Sequence, residues 1–167
     1  MKYLTYLLLC IATVLLQVTL LRFFAIQKIT PDLLLILVIF ISIREGQVVG
    51  IIFGFFAGIL DDLTTATIIG LSALSKSFAG YTAGLFYGIK SGLDIKFLGL
   101  IILISTIAHE LVLSIVTTFG VQQGYWFTVT HHSIPQLLYS SMLGFIIFAL
   151  LPRKVWKGSH PEWFEEN

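Results

Sequence analysis

Ionisable residues inside apolar stretches are the strongest candidates for chemistry in this sequence. Four stand out: Asp62, Lys76, His109 and Glu110. Because charge is expensive to bury in apolar surroundings, such residues line substrate or proton pathways, or they form pairs that fix the register of helices. Counting residues from the ends of the predicted helices puts Lys76 and Glu110 at depths that allow an ion pair. The long side chain of Lys76 could instead extend toward Asp62. We favour a structural pair, in which Lys76 binds either Glu110 or Asp62.

Motifs for metal binding and catalysis are missing from the sequence. His109 begins a segment like the zinc motif H-E-x-x-H, but Leu113 stands where the second histidine belongs. His131 and His132 are adjacent, so on a helix they point in different directions and make poor co-ligands. There is no nucleophile elbow, Walker loop or Cys-x-x-Cys pair. The sequence therefore predicts a protein that is not an enzyme and holds no metal and no cofactor.

Composition places these residues in a membrane. Hydrophobic residues make up 57% of the 167 positions and charged residues 11%, and the mean hydropathy is +0.95. Soluble domains are roughly 45–50% apolar and about 25% charged. The net charge of +1, without a basic stripe, argues against nucleic acid as a partner. We therefore predict an all-α integral membrane protein surrounded by lipid.

Six apolar segments predict a single bundle of six transmembrane helices. The segments cover about 3–21, 31–43, 47–60, 69–89, 97–119 and 133–151, so that residues 1–152 form the membrane domain and 153–167 a short cytoplasmic tail. Pro31 and Asp32 suit the first turn of the second helix, where proline loses no hydrogen bond and a carboxylate meets the positive helix end. The fourth segment carries many hydroxyl side chains as well as Lys76, which indicates the central helix.

Two charged clusters mark turns on either side of the third helix. Arg44-Glu45-Gly46 separates it from the second helix, because one continuous helix would place both charges at the membrane centre. Asp61-Asp62 is interpreted as the water-facing end of the third helix. The second and third helices therefore form a hairpin.

The distribution of basic residues predicts the orientation. With the N-terminus inside, seven basic residues face the cytoplasm and two face outward. The inner set is Lys2, Arg44, Lys90, Lys96, Arg153, Lys154 and Lys157, and the outer set is Arg22 and Lys28. The positive-inside rule favours this arrangement, which places both termini in the cytoplasm.

Two glycine ladders run through the third and fourth predicted helices. Glycine recurs at every fourth position as Gly46, Gly50, Gly54 and Gly58, and again as Gly80, Gly84, Gly88 and Gly92. Residues at i and i+4 share one helix face, and such a GxxxG face lets another backbone approach closely. Since the two helices are joined by a short connection, we expect the ladders to face each other. A partner must then bind elsewhere.

Several short motifs occur in an order that has a known counterpart. They are Pro31-Asp32-Leu33-Leu34-Leu35, then Gly50-x-x-x-Gly54-Phe55-x-x-Gly58-x-x-x-Asp62, then Gly70-Leu71-x-Ala73-Leu74 and Gly80-Tyr81. This order, over about residues 30–88, resembles the MreD family of rod-shape-determining proteins. The resemblance makes Pro31, Asp32, Gly70 and Tyr81 motif residues. Asp61 doubles the acid before Asp62, and Thr64–Thr67 replaces a Ser-Gly turn that relatives often carry.

The resemblance implies a non-enzymatic scaffold of the cell-elongation machinery in the bacterial inner membrane. Such a protein would bind the transmembrane helix of MreC, and through it link MreB filaments to the peptidoglycan synthases RodA and a class B penicillin-binding protein.

The family also resembles the substrate-binding subunits of energy-coupling-factor transporters, which are small six-helix membrane proteins. This likeness supplies an alternative function, a vitamin-type binding subunit. In that case Asp62, Lys76 and Glu110 would line a ligand pocket. Such subunits commonly offer an Ala-x-x-x-Ala-like ridge on the first helix, whereas here Ala12 is followed four residues later by Leu16. The scaffold is therefore the favoured interpretation.

Overall fold

A computed structural model describes residues 2–20, 31–65, 69–88, 95–120 and 134–150. Six helices lie within these ranges: α1 (Lys2–Leu20), α2 (Leu33–Glu45), α3 (Gln47–Thr65), α4 (Leu71–Gly84), α5 (Ile95–Gly120) and α6 (Ile134–Leu150). The predicted tail, 153–167, lies outside the described residues. The described part of the chain is all-helical.

The short helix α2 occupies the centre of the bundle. It has 13 residues, nine of them Leu, Ile or Val, and packs against each of the other five helices. A helix that is apolar all round is stable only when it is buried on all sides. Its residues Leu35 and Ile39 join Ala83 of α4, Ile101 of α5 and Phe148 of α6 in the main core cluster. The expectation that the fourth helix would be central is therefore wrong, because within the described ranges hydroxyl-rich α4 packs against three helices, α2, α3 and α5, whereas α2 packs against five.

The closest helix pair is α3 with α4, and glycine makes it possible. A Cβ atom built on Gly54 would lie 2.5 Å from the carbonyl oxygen of Lys76, and one on Gly84 would lie 2.5 Å from the Cα atom of Gln47. A Cβ atom on Gly50 or on Gly80 would clash with the backbone of the other residue, and one on Gly58 would clash with the backbone of Ala73. Successive contacts run in opposite chain directions, so the two helices are antiparallel and touch backbone to backbone.

The remaining ladder glycines have other roles. Gly46 ends α2 with a φ of 95° and donates its N–H to the carbonyl of Ser42, and the ring of Tyr87 lies over it. Gly88 has a φ of 83° in the turn that follows α4, with open space beside it. Gly92 lies outside the described residues. The fourth helix ends at Gly84 rather than at residue 89, which takes Gly88 out of the ladder.

The third helix is longer than predicted. It continues through Asp61 and Asp62 to Thr65, and both aspartates are buried. The interpretation of this pair as a water-facing helix end is therefore wrong. Carboxylates stay inside a fold when hydrogen bonds and opposite charges satisfy them, and both conditions hold here.

Large apolar side chains cover the outside of the bundle. Leu4 and Leu15 of α1, Phe56 of α3 and Met142 of α6 are each about 60% exposed. By length and composition, Gln47–Thr65 and Lys96–Thr117 are suited to cross a membrane, and Leu4–Thr19 and Ile134–Leu150 are shorter apolar helices. The outer surface of the described chain is thus more apolar than that of a water-soluble protein.

We expect Gly54→Leu to destabilise the bundle, because the new side chain would meet the backbone of α4 with no flexible group to yield. Overpacking of this kind costs about 1–3 kcal/mol or more. The measurement is the melting temperature and monodisperse fraction of the purified protein. The control is Val48→Leu, which enlarges an exposed residue of the same helix. A Gly54→Leu variant as stable as this control would contradict the role assigned to the glycine.

Candidate functional site

The start of α2 places a carboxylate at the centre of the bundle. Asp32 is the N-cap of α2, and its Oδ1 accepts a hydrogen bond from the N–H of Leu35 at 2.9 Å. Aspartate is favoured at this position because it satisfies an otherwise unpaired amide of the first helical turn. The N–H of Asp32 donates to Ser140 Oγ of α6 at 3.1 Å. The cap therefore fixes α2 to α6 and leaves Oδ2 to face the interior.

Lys76 of α4 bridges two carboxylates. Its Nζ lies 2.6 Å from Asp32 Oδ2 and 2.7 Å from Asp61 Oδ2, and its side chain is 1% exposed. Asp62 and Glu110, the two expected partners, are not the ones that Lys76 binds. Asp61 takes the place of its neighbour because adjacent helical residues point in different directions. We call Asp32, Asp61 and Lys76 the ion triad.

A glutamine from α1 completes the surroundings of Asp61. Gln17 Nε2 donates to Asp61 Oδ1 at 3.3 Å, and Gln17 Oε1 accepts from the N–H of Leu34 at the same distance. One amide side chain thus bridges a carboxylate of α3 and an orphan backbone amide of α2. With this contact the ion triad ties together α1, α2, α3 and α4.

Asp62 caps the next helix instead of joining the triad. Its Oδ2 accepts from the N–H of Gly70 at 2.8 Å, and its Oδ1 accepts from the N–H of Ser72 at 3.0 Å. Gly70, at a φ of 100°, is the N-cap residue of α4 and has no side chain with which to cap it. Asp62 therefore supplies from α3 the cap that α4 lacks.

His109 and Glu110 approach the triad from α5. His109 Nε2 lies 4.0 Å from Asp32 Oδ2, and His109 Nδ1 lies 3.6 Å from Glu110 Oε1. The imidazole is 2% exposed, and neither ring nitrogen has a hydrogen-bond partner among the residues that the structure describes. Oε2 of Glu110 is also buried and has no hydrogen-bond partner in the described part of the chain. Of the four residues of the predicted polar network, Lys76 belongs to the ion triad, His109 and Glu110 lie beside it on α5, and Asp62 lies outside it.

The geometry is suited to holding helices together. The triad's charges are directed at each other, and its side chains are at most 10% exposed. In the described ranges, no group of three or more His, Cys, Asp or Glu side chains is arranged to hold a metal ion. His131 and His132 lie outside those ranges. A buried lysine held by two carboxylates and a capped helix end fixes helix positions strongly, because removing one partner leaves uncompensated charge.

The remaining motif residues border this cluster or lie outside it. Pro31 is buried directly before the N-cap aspartate, and Tyr81 is 39% exposed on α4, where its ring lies beside that of Phe78. Sequence reasoning treated Asp32 as a helix-end charge and missed it as a partner of Lys76. The sequence did contain a signal for this pairing: a buried lysine needs a carboxylate, and Asp32 directly precedes a helix whose first nine residues, 33–41, are all apolar.

Together these features define a class: a small helical protein with apolar outer faces and an internal ion triad that joins its helices. The family description "rod shape-determining protein MreD" matches residues 1–154. The match covers most of the chain, so the chain belongs to the MreD family, as the motif order predicted, and has a role in determining rod shape.

No curated protein and no solved structure matches the chain. The expected likeness to the substrate-binding subunits of energy-coupling-factor transporters is therefore without support from solved structures and stays a prediction.

We expect Lys76→Met to destabilise the protein by about 3–5 kcal/mol, because two buried carboxylates would lose their shared counter-charge. Thermal unfolding of the purified protein measures the effect. Lys96→Met, at an exposed position of α5, is the control. Adding Asp32→Asn and Asp61→Asn to Lys76→Met should restore part of the lost stability. If the triple variant were no more stable than Lys76→Met, the ion triad would not explain the loss.

Proposed function

We propose that this protein is a multi-pass scaffold of the bacterial inner membrane, with both termini in the cytoplasm, which binds MreC and through it links MreB filaments to peptidoglycan synthases. Membership of the MreD family supports a role in rod shape. The proposed orientation rests on the positive-inside rule, which assigns the turns that carry Arg44 and Lys96 to the cytoplasm.

The observation that carries the membrane placement is the distribution of polarity. The ion triad and His109 are buried, whereas leucine and phenylalanine side chains cover the outside. In water this arrangement would expose a large apolar area, and proteins with such surfaces associate or bind lipid. In a bilayer the same apolar surface is solvated by acyl chains, and the charges must be buried and paired.

A scaffold suits this interior better than an enzyme does. The charged side chains of the ion triad are already bound to one another, and Asp62 is used by backbone amides. The chemistry of the described core is therefore directed at positioning helices. What is left for a partner is the outer surface of the bundle.

A groove between α1, α2 and α6 is the surface that we propose for the MreC helix. α1 and α6 each pack on α2 but not on each other within the described ranges, which leaves a cavity of about 430 Å³ between them. Its wall on α1 is formed by Leu9, Ala12, Thr13 and Leu16. This i, i+3, i+4, i+7 spacing is one face of a helix, and the small Ala12 at its middle permits close approach.

The glycine faces cannot serve this purpose. Gly50, Gly54 and Gly58 are covered by α4, so the ladders are used within the bundle. MreB, RodA and a class B penicillin-binding protein are reached only through MreC in this proposal. The proposed contact is thus one transmembrane helix of MreC against one groove.

We expect Ala12→Trp to lower the recovery of MreC with the tagged protein at least about fivefold, because a clash of ~1 kcal/mol or more changes binding by that ratio. The measurement is co-purification from membranes of a rod-shaped bacterium that lacks its own family member, together with cell shape. Leu111→Trp, at an exposed position of α5, is the matched control and should retain both MreC and rod shape.

Two results would contradict the proposal. One is full MreC recovery with Ala12→Trp but loss with Leu111→Trp, which would move the contact to α5. The other is recovery of an ATPase pair and a bound vitamin in place of MreC, which would favour a transporter subunit. Equal melting temperatures of the two variants would show that the comparison concerns binding and not folding.

A further inference from the structure

A second, polar cavity lies beside the ion triad between α1, α2 and α3. Its volume is about 210 Å³, and its walls include Gln17, Asp61, Thr64 and Thr65, with Val14 and Leu34 as apolar neighbours. The proposed function makes no use of it. We infer that this cavity binds a primary ammonium group, with Asp61 as its counter-ion.

The hydrogen-bonding groups around the cavity are mainly acceptors. The Thr64 and Thr65 hydroxyls donate to the main-chain carbonyl of Asp61 at 2.9 and 2.8 Å, and the Thr64 oxygen keeps its lone pairs as acceptors. The amide of Gln17 uses its nitrogen on Asp61 and its oxygen on the N–H of Leu34. Among the described residues that line the cavity none is a cation that could bind a phosphate or carboxylate, whereas an ammonium group brings three N–H donors.

The charge of the neighbouring cluster has the matching sign. Lys76 supplies one positive charge to two carboxylates, which leaves the ion triad with an excess negative charge when all three are ionised. His109 lies 4.0 Å from Asp32, and Glu110 adds a further carboxylate next to that imidazole. Of the triad's carboxylates, Asp61 is the one that lines the cavity, and its Oδ1 accepts only the long 3.3 Å bond from Gln17 among the bonds described.

The position of the cavity suggests where the ammonium group comes from. Asp61 lies four residues before the end of α3, about 6 Å along the helix axis. In the proposed orientation this end faces outward, at the depth of the lipid headgroups. The ammonium can therefore come from a phosphatidylethanolamine headgroup of the outer leaflet or from a soluble primary amine. Only the choice between these sources depends on the proposed membrane placement.

The test uses the full chain in nanodiscs that contain equal amounts of phosphatidylethanolamine and phosphatidylcholine, since the N-methylated headgroup has no N–H donors. Native mass spectrometry counts the lipid that stays bound. We expect a preference for phosphatidylethanolamine of about tenfold, as for a charge-assisted hydrogen bond. A parallel titration with ethanolamine, in phosphatidylcholine nanodiscs, tests the soluble source.

Variants assign the binding to the cavity. Asp61→Asn should abolish the preference, and Thr64→Val, which keeps the shape of the side chain, should lower it about threefold or more. The control is Thr19→Val, because Thr19 also donates to a carbonyl of its own helix but is exposed and lies outside the cavity.

Lipid preference that is lost in Asp61→Asn supports the site with a lipid source, and saturable ethanolamine binding that is lost in the same variant supports it with a soluble source. If Asp61→Asn does not fold, the comparison of binding by Thr64→Val and Thr19→Val tests whether the cavity is the site. The inference is overturned if the wild type binds neither probe, or if Thr64→Val and Thr19→Val bind equally. Recovery of MreC is a separate readout, so either proposal can fail without the other.

Discussion

The bond between Lys76 and two carboxylates is the interaction on which the rest of the structure depends. A lysine with 1% of its side chain exposed is tolerated only if opposite charge meets it at close range. The two aspartates come from α2 and α3, and the lysine comes from α4. Any arrangement of these three helices must therefore bring their polar ends together, which fixes their rotation and register at once.

Glycine allows the ion triad to form. Lys76 lies on α4 where its own backbone carbonyl faces Gly54 of α3, so the two helix axes are as close as the backbone permits. A side chain at position 54 would push α4 outward and lengthen the ion pair with Asp61. The close packing of α3 on α4 is thus a condition for the ion pair between Lys76 and Asp61.

Much of the fold could be predicted from the apolar segments and from the glycine and charged residues that separate them, because these signals are local in the sequence. Gly46 separates α2 from α3 because its positive φ suits glycine, and the spacing of the glycines identified the contact between α3 and α4. The length of α3 did not follow, since two adjacent aspartates normally end an apolar helix. Their burial depends on Lys76 and on the amides at the start of α4, which are contacts that no local pattern displays.

The partner of Lys76 was missed for a related reason. Counting residues gives the depth of Glu110 and Asp62 in a helix but not the direction in which each side chain points. Asp32 was visible only as a favourable charge at a helix start. Its second role requires α4 and α6 to pack around that start, and this is a property of the assembled bundle.

The position of Asp32 has a consequence for how the chain is made. Its carboxylate enters with α2, but the lysine that neutralises it belongs to α4 and the serine that accepts its N–H belongs to α6. During N-to-C synthesis the α2–α3 hairpin is therefore made before α4, and until then its two aspartates, Asp32 and Asp61, have no counter-charge from Lys76. If the chain spans the membrane as proposed, two carboxylates without a counter-charge make the hairpin unstable there on its own. Under that proposal helices α2, α3 and α4 would insert as one unit, to which α6 is then joined through Ser140.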